Sequence, residues 1–143
     1  MLVIFEGVDK SGKTTLLKEF LKRSNYKHIV YDRGPISQSV FADLFGRQVD
    51  KDLNVVIYNL KKIKNLIVLC EADCDIIKQR LAKANESLPK ELEDIERVKL
   101  YFELYTKMSG FNYLIVDTTN RTIDDCLDLI ERKIEEIEND RSL

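Results

Sequence analysis

The chain has few of the residues that build metal centres and disulfide frameworks. It contains one histidine and three cysteines, an odd number that cannot pair completely. A single histidine leaves too few partners for a His/Cys metal site. Unpaired cysteines in apolar segments are typical of a reducing compartment. We therefore expect no zinc site and no disulfide, and we expect a cytoplasmic protein.

Long apolar runs and an excess of charge are also missing. No stretch approaches the roughly 20 residues that a membrane-spanning helix needs, and the chain begins without a basic leader or cleavage site. The formal net charge is −2, so no basic field favours nucleic acid. The sequence shows no repeat, low-complexity tract or linker. These absences predict one globular domain over residues 1–143 that binds neither membranes nor nucleic acids.

Glycine is scarce as well, but two of the five glycines fall in one motif. Residues 7–14 have the pattern G-x-x-x-x-G-K-[ST], between an apolar run at 1–5 and apolar residues at helical spacing over 14–22. Such a loop lets backbone N–H groups surround the phosphates of a nucleoside triphosphate at a helix N-terminus. In this pattern Lys13 reaches the β- and γ-phosphates, and the Thr14 hydroxyl coordinates Mg²⁺.

Four short β-rich runs alternate with helical patterns along the chain. The runs cover 2–5, 28–31, 66–70 and 113–116. After the first helix, the helical patterns cover 37–45, 50–63, 74–84, 90–108 and 123–137, with a fraying tail at 138–143. This alternation predicts a three-layer α/β/α fold around a parallel sheet of order 2-1-3-4, with strands buried on both faces. Ligands then bind beyond the carboxyl ends of the strands.

Asp32 and Arg33 directly follow the second run, so we expect them beside the phosphate loop. A carboxylate there can hold Mg²⁺ or orient the attacking oxygen. A guanidinium can bind a phosphate through two hydrogen bonds. Without the neighbouring loop, a surface ion pair in the turn before Gly34 would be the better interpretation. Next to the loop, the functional interpretation is favoured.

Three blocks of the sequence resemble thymidylate kinases. Residues 5–15 are similar to the opening of that family, and the segment 32–47 resembles its D-R-Y…S…A-Y-Q-G…R segment, with the D-R-G-P-x-S form of small, phage-type relatives. Residues 72–105 resemble the lid region, about 80–90, and the helix after it. The resemblance implies a P-loop NTPase fold and phosphoryl transfer from ATP, with Mg²⁺, to a (deoxy)nucleoside monophosphate.

The resemblance also implies roles for individual residues. The donor and magnesium site would comprise Gly7, Asp9, Lys10, Ser11, Gly12, Lys13, Thr14 and Thr15, with Thr118, Thr119 and Asn120 near adenine. Thr14 and Asp32 would hold the metal. Residues that act on the transferred group would be Lys13, Asp32, Arg33, Lys10 and Arg80. Asp9 would face the acceptor sugar, and Arg33 would bind the acceptor phosphate.

The chain departs from the family between Thr15 and His28, where residues 16–27 stand in place of a strand, an arginine-bearing loop and several helices. The acceptor site must then be built from Phe41, Phe45, Arg47 and the 90–108 helix, or be supplied by a partner. The lid is also poor in arginine.

Several alternatives stay open. Lys10 could be a solvated loop lysine, Arg80 could pair with a carboxylate on its own helix, and Phe41 could belong to the core. The chain could also be a deoxynucleoside or polynucleotide-end kinase, with Asp32 or Glu6 as base, or a nucleotide-binding module without transfer activity. Family members are often dimers, which leaves a homodimer open.

Overall fold

A four-stranded parallel sheet forms the centre of the protein in a computed structural model that describes residues 1–140. The strands are β1 (Leu2–Glu6), β2 (Ile29–Asp32), β3 (Asn65–Glu71) and β4 (Tyr113–Asp117). Their order is β2-β1-β3-β4, and the register places Leu2 beside Ile29 on one side and beside Asn65 on the other. The predicted α/β fold and strand order are therefore confirmed.

Six α-helices cover the two faces of the sheet within residues 1–140. They are α1 (Lys13–Arg23), α2 (Pro35–Leu44), α3 (Leu53–Lys61), α4 (Cys74–Lys83), α5 (Ile95–Met108) and α6 (Ile123–Asn139). On one face, α1 and α6 pack on Val3, Phe5 and Val68. On the other face, α2, α4 and α5 pack on Leu2 and Ile4. None of these helices is long and apolar enough to cross a membrane.

The two central strands are buried on both faces, as their continuous apolar sequences predict. The same prediction is wrong for β2, where Ile29 is 58% exposed and Tyr31 is 47% exposed. Strand β2 lies at the edge of the sheet, and only Val30 on its other face packs into the core with α1. An apolar run therefore does not show whether a strand is central or at an edge.

Two predicted helices begin later than their apolar patterns suggest. The pattern at 90–108 is divided into a 3₁₀ turn at Lys90–Leu92 and α5, because the Asp94 side chain accepts a hydrogen bond from the Arg97 N–H and caps α5. Asp50 accepts a hydrogen bond from the Asp52 N–H, and this local turn precedes α3. At the end of the chain α6 continues through Asn139, contrary to the predicted fraying of 138–143; residues 141–143 lie outside the described residues.

The fold brings four loops together at the carboxyl ends of the strands. Glu6, Asp32, Glu71 and Asp117 are the last residues of β1 to β4, and all four strands are parallel. Chain segments that are far apart in sequence therefore meet at one edge of the sheet, around the loop at residues 7–12 that joins β1 to α1.

Candidate active site

The phosphate loop requires glycine at both ends for steric reasons. Gly7 has φ +147°, and a Cβ at this position would lie 2.5 Å from the Cys70 carbonyl oxygen of β3. Gly12 has φ +85°, and a Cβ there would lie 3.2 Å from the Thr118 side chain. A side chain at Gly7 would therefore clash with the backbone of β3, whereas at Gly12 the left-handed backbone and the close Thr118 side chain favour glycine.

The interior of this loop offers polar groups that lack protein partners. The Ser11 hydroxyl is fully buried, and its oxygen has no hydrogen-bond partner in the described part of the chain. The first turn of α1 begins at Lys13, and the first N–H groups of any helix have no intrahelical acceptor. An orphaned buried hydroxyl, free helix-terminal N–H groups and two glycines with positive φ angles fit a loop that binds phosphate.

Lys13 and Asp32 form an ion pair across the site. The Lys13 side chain is 8% exposed, whereas that of Asp32 is 52% exposed at the end of β2. The exposed Thr14 follows Lys13 at the start of α1. A single carboxylate and a hydroxyl beside a phosphate site fit Mg²⁺, which usually binds through one or two carboxylates together with substrate phosphates.

Arg33 adopts a left-handed backbone conformation that several contacts hold in place. Its φ is +68°, and its N–H donates to the Phe5 carbonyl oxygen at 2.9 Å. The guanidinium lies 5.2 Å from the centre of the Phe41 ring. A left-handed non-glycine residue is costly, typically by about 1–2 kcal/mol, and occurs where surrounding structure determines it. The Asp32–Arg33 turn therefore aims both side chains at the loop edge of the sheet.

Glu6 anchors the segment that follows Arg33. Its carboxylate accepts hydrogen bonds from the Gly34 N–H at 2.7 Å and the Ser37 N–H at 3.3 Å, and a third from the Ser37 hydroxyl. Burial raises the pKa of Glu6, and these hydrogen bonds partly oppose that rise. The sequence named Glu6 as an alternative base, but the structure uses its carboxylate to fix the start of α2.

The lid region contacts the phosphate loop at Lys10. The Arg80 guanidinium donates to the Lys10 carbonyl oxygen at 2.7 Å. The Lys10 ammonium lies 3.2 Å from a Glu86 carboxylate oxygen. Lys10 itself has φ +63°, and its N–H donates to Asp9 at 3.0 Å. Arg80 thus contacts the loop backbone, and Lys10 has a partner in the lid segment after α4.

Two cavities open at this edge of the sheet and share part of their walls. The first, of about 480 Å³, surrounds the phosphate loop and also reaches Arg80 and the segment after β4. The second, of about 340 Å³, is largely apolar. Its walls include Phe41, Leu88, Pro89, Leu92, Ile95 and Val98. Both cavities are lined by Val8, Asp9 and Arg33, so their contents would meet at these residues.

Several residues predicted to bind ligands line neither cavity, namely Gly7, Asp32, Phe45, Arg47, Thr119 and Asn120. Asp32 nevertheless pairs with Lys13, which lines the first cavity. Arg47 places its guanidinium 4.8 Å from the centre of the Phe45 ring, in an exposed segment after α2. The Thr119 hydroxyl accepts a hydrogen bond from the Asp73 N–H at 2.8 Å, at the start of α4. Asn120 donates its side-chain N–H to Asp117 at 2.8 Å. The structure therefore brings together the phosphate loop, Asp32, Arg33, Phe41 and Arg80, but not Phe45, Arg47, Thr119 or Asn120.

The structure adds two groups of residues that the sequence motifs missed. Arg121, Ile123 and Cys126 line the first cavity beyond Gly12, beside the expected Thr118. Leu88 and Pro89 line the second. Arg121 could have been suspected, because it closely follows a strand at its carboxyl end. The lid residues carry no such signal, since their apolar side chains resemble core residues.

Glu71, at the end of β3, is a second acidic residue with an altered environment. Burial raises the pKa of Glu71 to about 7, and a hydrogen bond with Glu103 of α5 contributes to that rise, whereas Lys99 and Lys107 oppose it. Its carbonyl oxygen accepts the Thr118 N–H at 2.8 Å. Glu71 therefore links α5 to the loop that borders the first cavity.

Sequence comparison finds similarity to probable thymidylate kinases, although no protein-family model matches the chain. A probable thymidylate kinase of Methanococcus maripaludis strain C6 is 26% identical over 135 residues, which are 90% of this chain. The corresponding protein of strain C7 is 25% identical over 146 residues and 95% of this chain. The chain is similar to thymidylate kinases. This confirms the resemblance seen in its motifs, but the chain spans only 65% of the strain C6 protein.

Solved structures show the same fold over nearly the whole chain. The YorR protein from Bacillus subtilis, in complex with phosphorylated GDP, has a TM-score of 0.79 at 19% identity and 99% coverage of both chains. Deoxyadenosine kinase from M. mycoides with bound dCTP has a TM-score of 0.64 at 19% identity, covering 95% of this chain and 100% of that one. Thymidylate kinase from Candida albicans has a TM-score of 0.61 at 17% identity, with 96% and 92% coverage.

Proposed function

We propose that this protein transfers a phosphoryl group from ATP to a (deoxy)nucleoside monophosphate in the presence of Mg²⁺. The observation that carries the proposal is the pair of cavities that meet at Val8, Asp9 and Arg33. Phosphoryl transfer requires a donor phosphate site, an acceptor site and a cationic group between them. The similarity to thymidylate kinases supports the same assignment.

The donor site would be the phosphate loop. Backbone N–H groups of the loop and the Lys13 ammonium would hold the phosphates, and Thr14 with Asp32 would hold the metal. When bound, the triphosphate and Mg²⁺ supply the transferable group and the charge that stabilises it. Because the Lys13 ammonium pairs with Asp32 in this structure, both side chains are already directed to the place where phosphate charge is expected.

The acceptor site would be the second cavity, and its charges favour a monophosphate over a nucleoside. Arg33 offers a cation for an acceptor phosphate, which arrives ionised and needs no strong base. A nucleoside hydroxyl must lose a proton and requires a carboxylate base. The sequence offers Glu6 and Asp32 for that role. The Glu6 carboxylate, however, is hydrogen-bonded to the start of α2, and the Asp32 carboxylate is paired with Lys13. This geometry supports the monophosphate.

Arg80 and Lys10 would position the loop and the substrates without taking part in bond making or breaking. Arg80 holds the loop backbone at Lys10, and Lys10 lines the first cavity near Arg33. Closure of the segment after α4 would exclude water from the junction of the cavities and limit hydrolysis of the donor. Leu88 and Pro89 of the same segment line the acceptor cavity, so acceptor binding and closure would be coupled.

The test is a panel of acceptors at fixed MgATP, read as ADP release. A kinase of this kind forms ADP only with one or a few monophosphates, and the nucleoside diphosphate appears in equal amount. ADP release with nucleosides or polynucleotide ends would instead identify one of the alternative kinases. ATP binding without acceptor-dependent turnover would identify a nucleotide-binding module and would overturn the proposal.

We also propose a cytoplasmic protein whose partners are small nucleotides. Cys70, Cys74 and Cys126 are free in this structure, which suits a reducing compartment. A homodimer stays a prediction from the resemblance alone, and light scattering of the purified protein would decide it.

A further inference from the structure

The end of β1 holds the turn that carries Arg33. The Phe5 carbonyl oxygen accepts the Arg33 N–H at 2.9 Å, and the Glu6 carboxylate accepts the Gly34 N–H at 2.7 Å. A Cβ at Gly34 would lie 3.0 Å from the Ile4 side chain, so the turn rests directly on the strand. Two neighbouring residues of β1 therefore fix two neighbouring residues of the turn.

The same carboxylate also fixes α2, the helix that carries the aromatic ring against Arg33. Glu6 accepts hydrogen bonds from the Ser37 N–H at 3.3 Å and from the Ser37 hydroxyl. Phe41 lies about one turn further along α2, and the centre of its ring is 5.2 Å from the Arg33 guanidinium. The backbone of Arg33 and the ring that contacts its guanidinium thus depend on one buried side chain.

Glu6 has the hydrogen-bond partners of an ionised carboxylate. It is fully buried, and its partners are two N–H groups and one hydroxyl. Burial raises the pKa of Glu6, while the hydrogen bonds from Ser37 and Gly34 and the charge of Arg33 oppose that rise. An ionised carboxylate only accepts hydrogen bonds, whereas a carboxamide of the same shape has one accepting oxygen and an NH₂ group that would face donors. The site therefore distinguishes a carboxylate from its closest isostere.

We propose that Glu6 is a positioning residue for the acceptor: its carboxylate holds the Arg33 turn and α2 so that the guanidinium faces the acceptor phosphate. The inference rests on the proposed function, because it takes the second cavity, which Arg33 lines, as the acceptor site. Arg33 has φ +68°, a conformation that persists where the surrounding structure determines it. Without the carboxylate the turn relaxes, and the acceptor phosphate loses a directed cation. Glu6 then acts through Arg33 and takes no proton from the substrate.

The test measures binding and turnover separately in the full chain. The probes dAMP, dCMP, dGMP and dTMP are each titrated by calorimetry, and acceptor kinetics are recorded at saturating MgATP. Glu6→Gln should raise the dissociation constant and the KM of the acceptor about 5- to 30-fold, and no further than Arg33→Ala does, because Glu6 acts through that residue. The kcat should stay within about threefold, and the dissociation constant of ATP within about twofold.

Ser37→Ala removes one of the three hydrogen bonds and keeps the carboxylate, so it carries the test even if Glu6→Gln does not fold. It should weaken acceptor binding about two- to fivefold. Gln38→Ala, an exposed change on the same helix, is the matched control and should leave every constant unchanged. Combining Arg33→Ala with either change should give acceptor binding within about twofold of Arg33→Ala alone. A purely structural defect would instead add to the loss.

Three results would overturn the inference. A kcat that falls about 100-fold at unchanged acceptor KM would identify Glu6 as a base. Additive losses in the double variants, or ATP affinity lowered as much as acceptor affinity, would indicate general damage to the fold. Acceptor-dependent ADP release that neither Glu6→Gln nor Ser37→Ala changes would retain the kinase and remove this role of Glu6. Weaker monophosphate binding by Glu6→Gln, in a chain that releases no ADP, would do the reverse.

Discussion

The proposed donor and acceptor sides of the site are built in different ways. The proposed phosphate loop is a continuous segment, residues 7–14, between β1 and α1, in which Gly7 lies against the backbone of β3 and Gly12 against the Thr118 side chain. The acceptor cavity is assembled from α2, the lid segment and α5, and most of its lining is apolar. The proposed donor side is therefore a local motif whose backbone geometry would hold the phosphates. The acceptor side depends on packing between distant segments, which can change without loss of the loop.

The largest expected effect comes from Lys13→Ala, which tests whether the donor side depends on a single charge. Removing a positioned cation from a charged ligand typically reduces the rate by about 100-fold or more, so MgATP binding and ADP release should fall at least that far. Lys18→Ala, an exposed change on the same helix, should leave both unchanged. Normal ATP binding by the Lys13 variant would contradict the assignment of the loop.

Arg33→Ala tests whether acceptor binding can be weakened without changing the affinity for ATP. Loss of a charge-assisted contact should reduce kcat/KM for the acceptor by about 10- to 100-fold, while the dissociation constant of ATP stays within about twofold. Both constants are measurable by steady-state kinetics and calorimetry.

Arg97→Ala, an exposed change on α5, serves as the control for Arg33.

Arg47→Ala compares the two predicted acceptor arginines. Because Arg47 stacks on Phe45 outside the cavity walls, the effect of this change on the acceptor KM should be smaller than about threefold. An Arg47 effect as large as that of Arg33 would mean that the acceptor site extends beyond the second cavity.

Glu86→Gln tests the link between the lid and the donor side. The carboxylate of Glu86 neutralises Lys10 at 3.2 Å, and a partly exposed ion pair contributes up to about 1 kcal/mol. Releasing Lys10 should therefore tighten MgATP binding by about two- to fivefold. The exposed change Glu91→Gln is the control. Weaker ATP binding by Glu86→Gln would show that the carboxylate supports the closed loop instead.

The smallest expected effect concerns the free energy of unfolding. It tests the contact of Glu71, at the end of β3, with Glu103 of α5. The pKa of Glu71 is raised to about 7 from an ordinary value of 4.5, so the folded state binds more protons than the unfolded state between these values. The stability from this proton is present below about pH 4.5 and is lost as the pH rises through about 7. Because Glu71 is only partly buried, solvent screening limits the effect to about 1 kcal/mol.

Glu71→Gln removes that proton linkage. The variant should unfold at a higher denaturant concentration than the unaltered chain at pH 8, and the difference should shrink towards pH 5. Glu96→Gln, on the exposed face of α5, should show no such trend. A pH-independent difference for Glu71→Gln would point to packing rather than to the raised pKa.

Much of the donor side could be predicted because its signals are local. The loop motif lies between a strand and a helix, and the order of the sheet follows from alternating elements and right-handed crossovers. The exposure of Ile29 and Tyr31 could not be predicted, because apolar sequence is the same for an edge strand and a central one. The sequence also could not show that the Asn120 amide bonds to Asp117 or that the Arg47 guanidinium stacks on Phe45. In each case a nearby partner competes with the ligand for the side chain.

The sequence by itself determined the class of fold, the phosphate loop with its two obligatory glycines, and the placement of Asp32 and Arg33 at the carboxyl edge of the sheet. Each of these follows from residues that are close together in the chain or from the period of apolar positions. Tertiary structure alone decided that Glu6 anchors α2, that Arg80 holds Lys10, and that the lid lines the second cavity. These contacts join residues remote in sequence, and only the packing of helices on the sheet sets their distances.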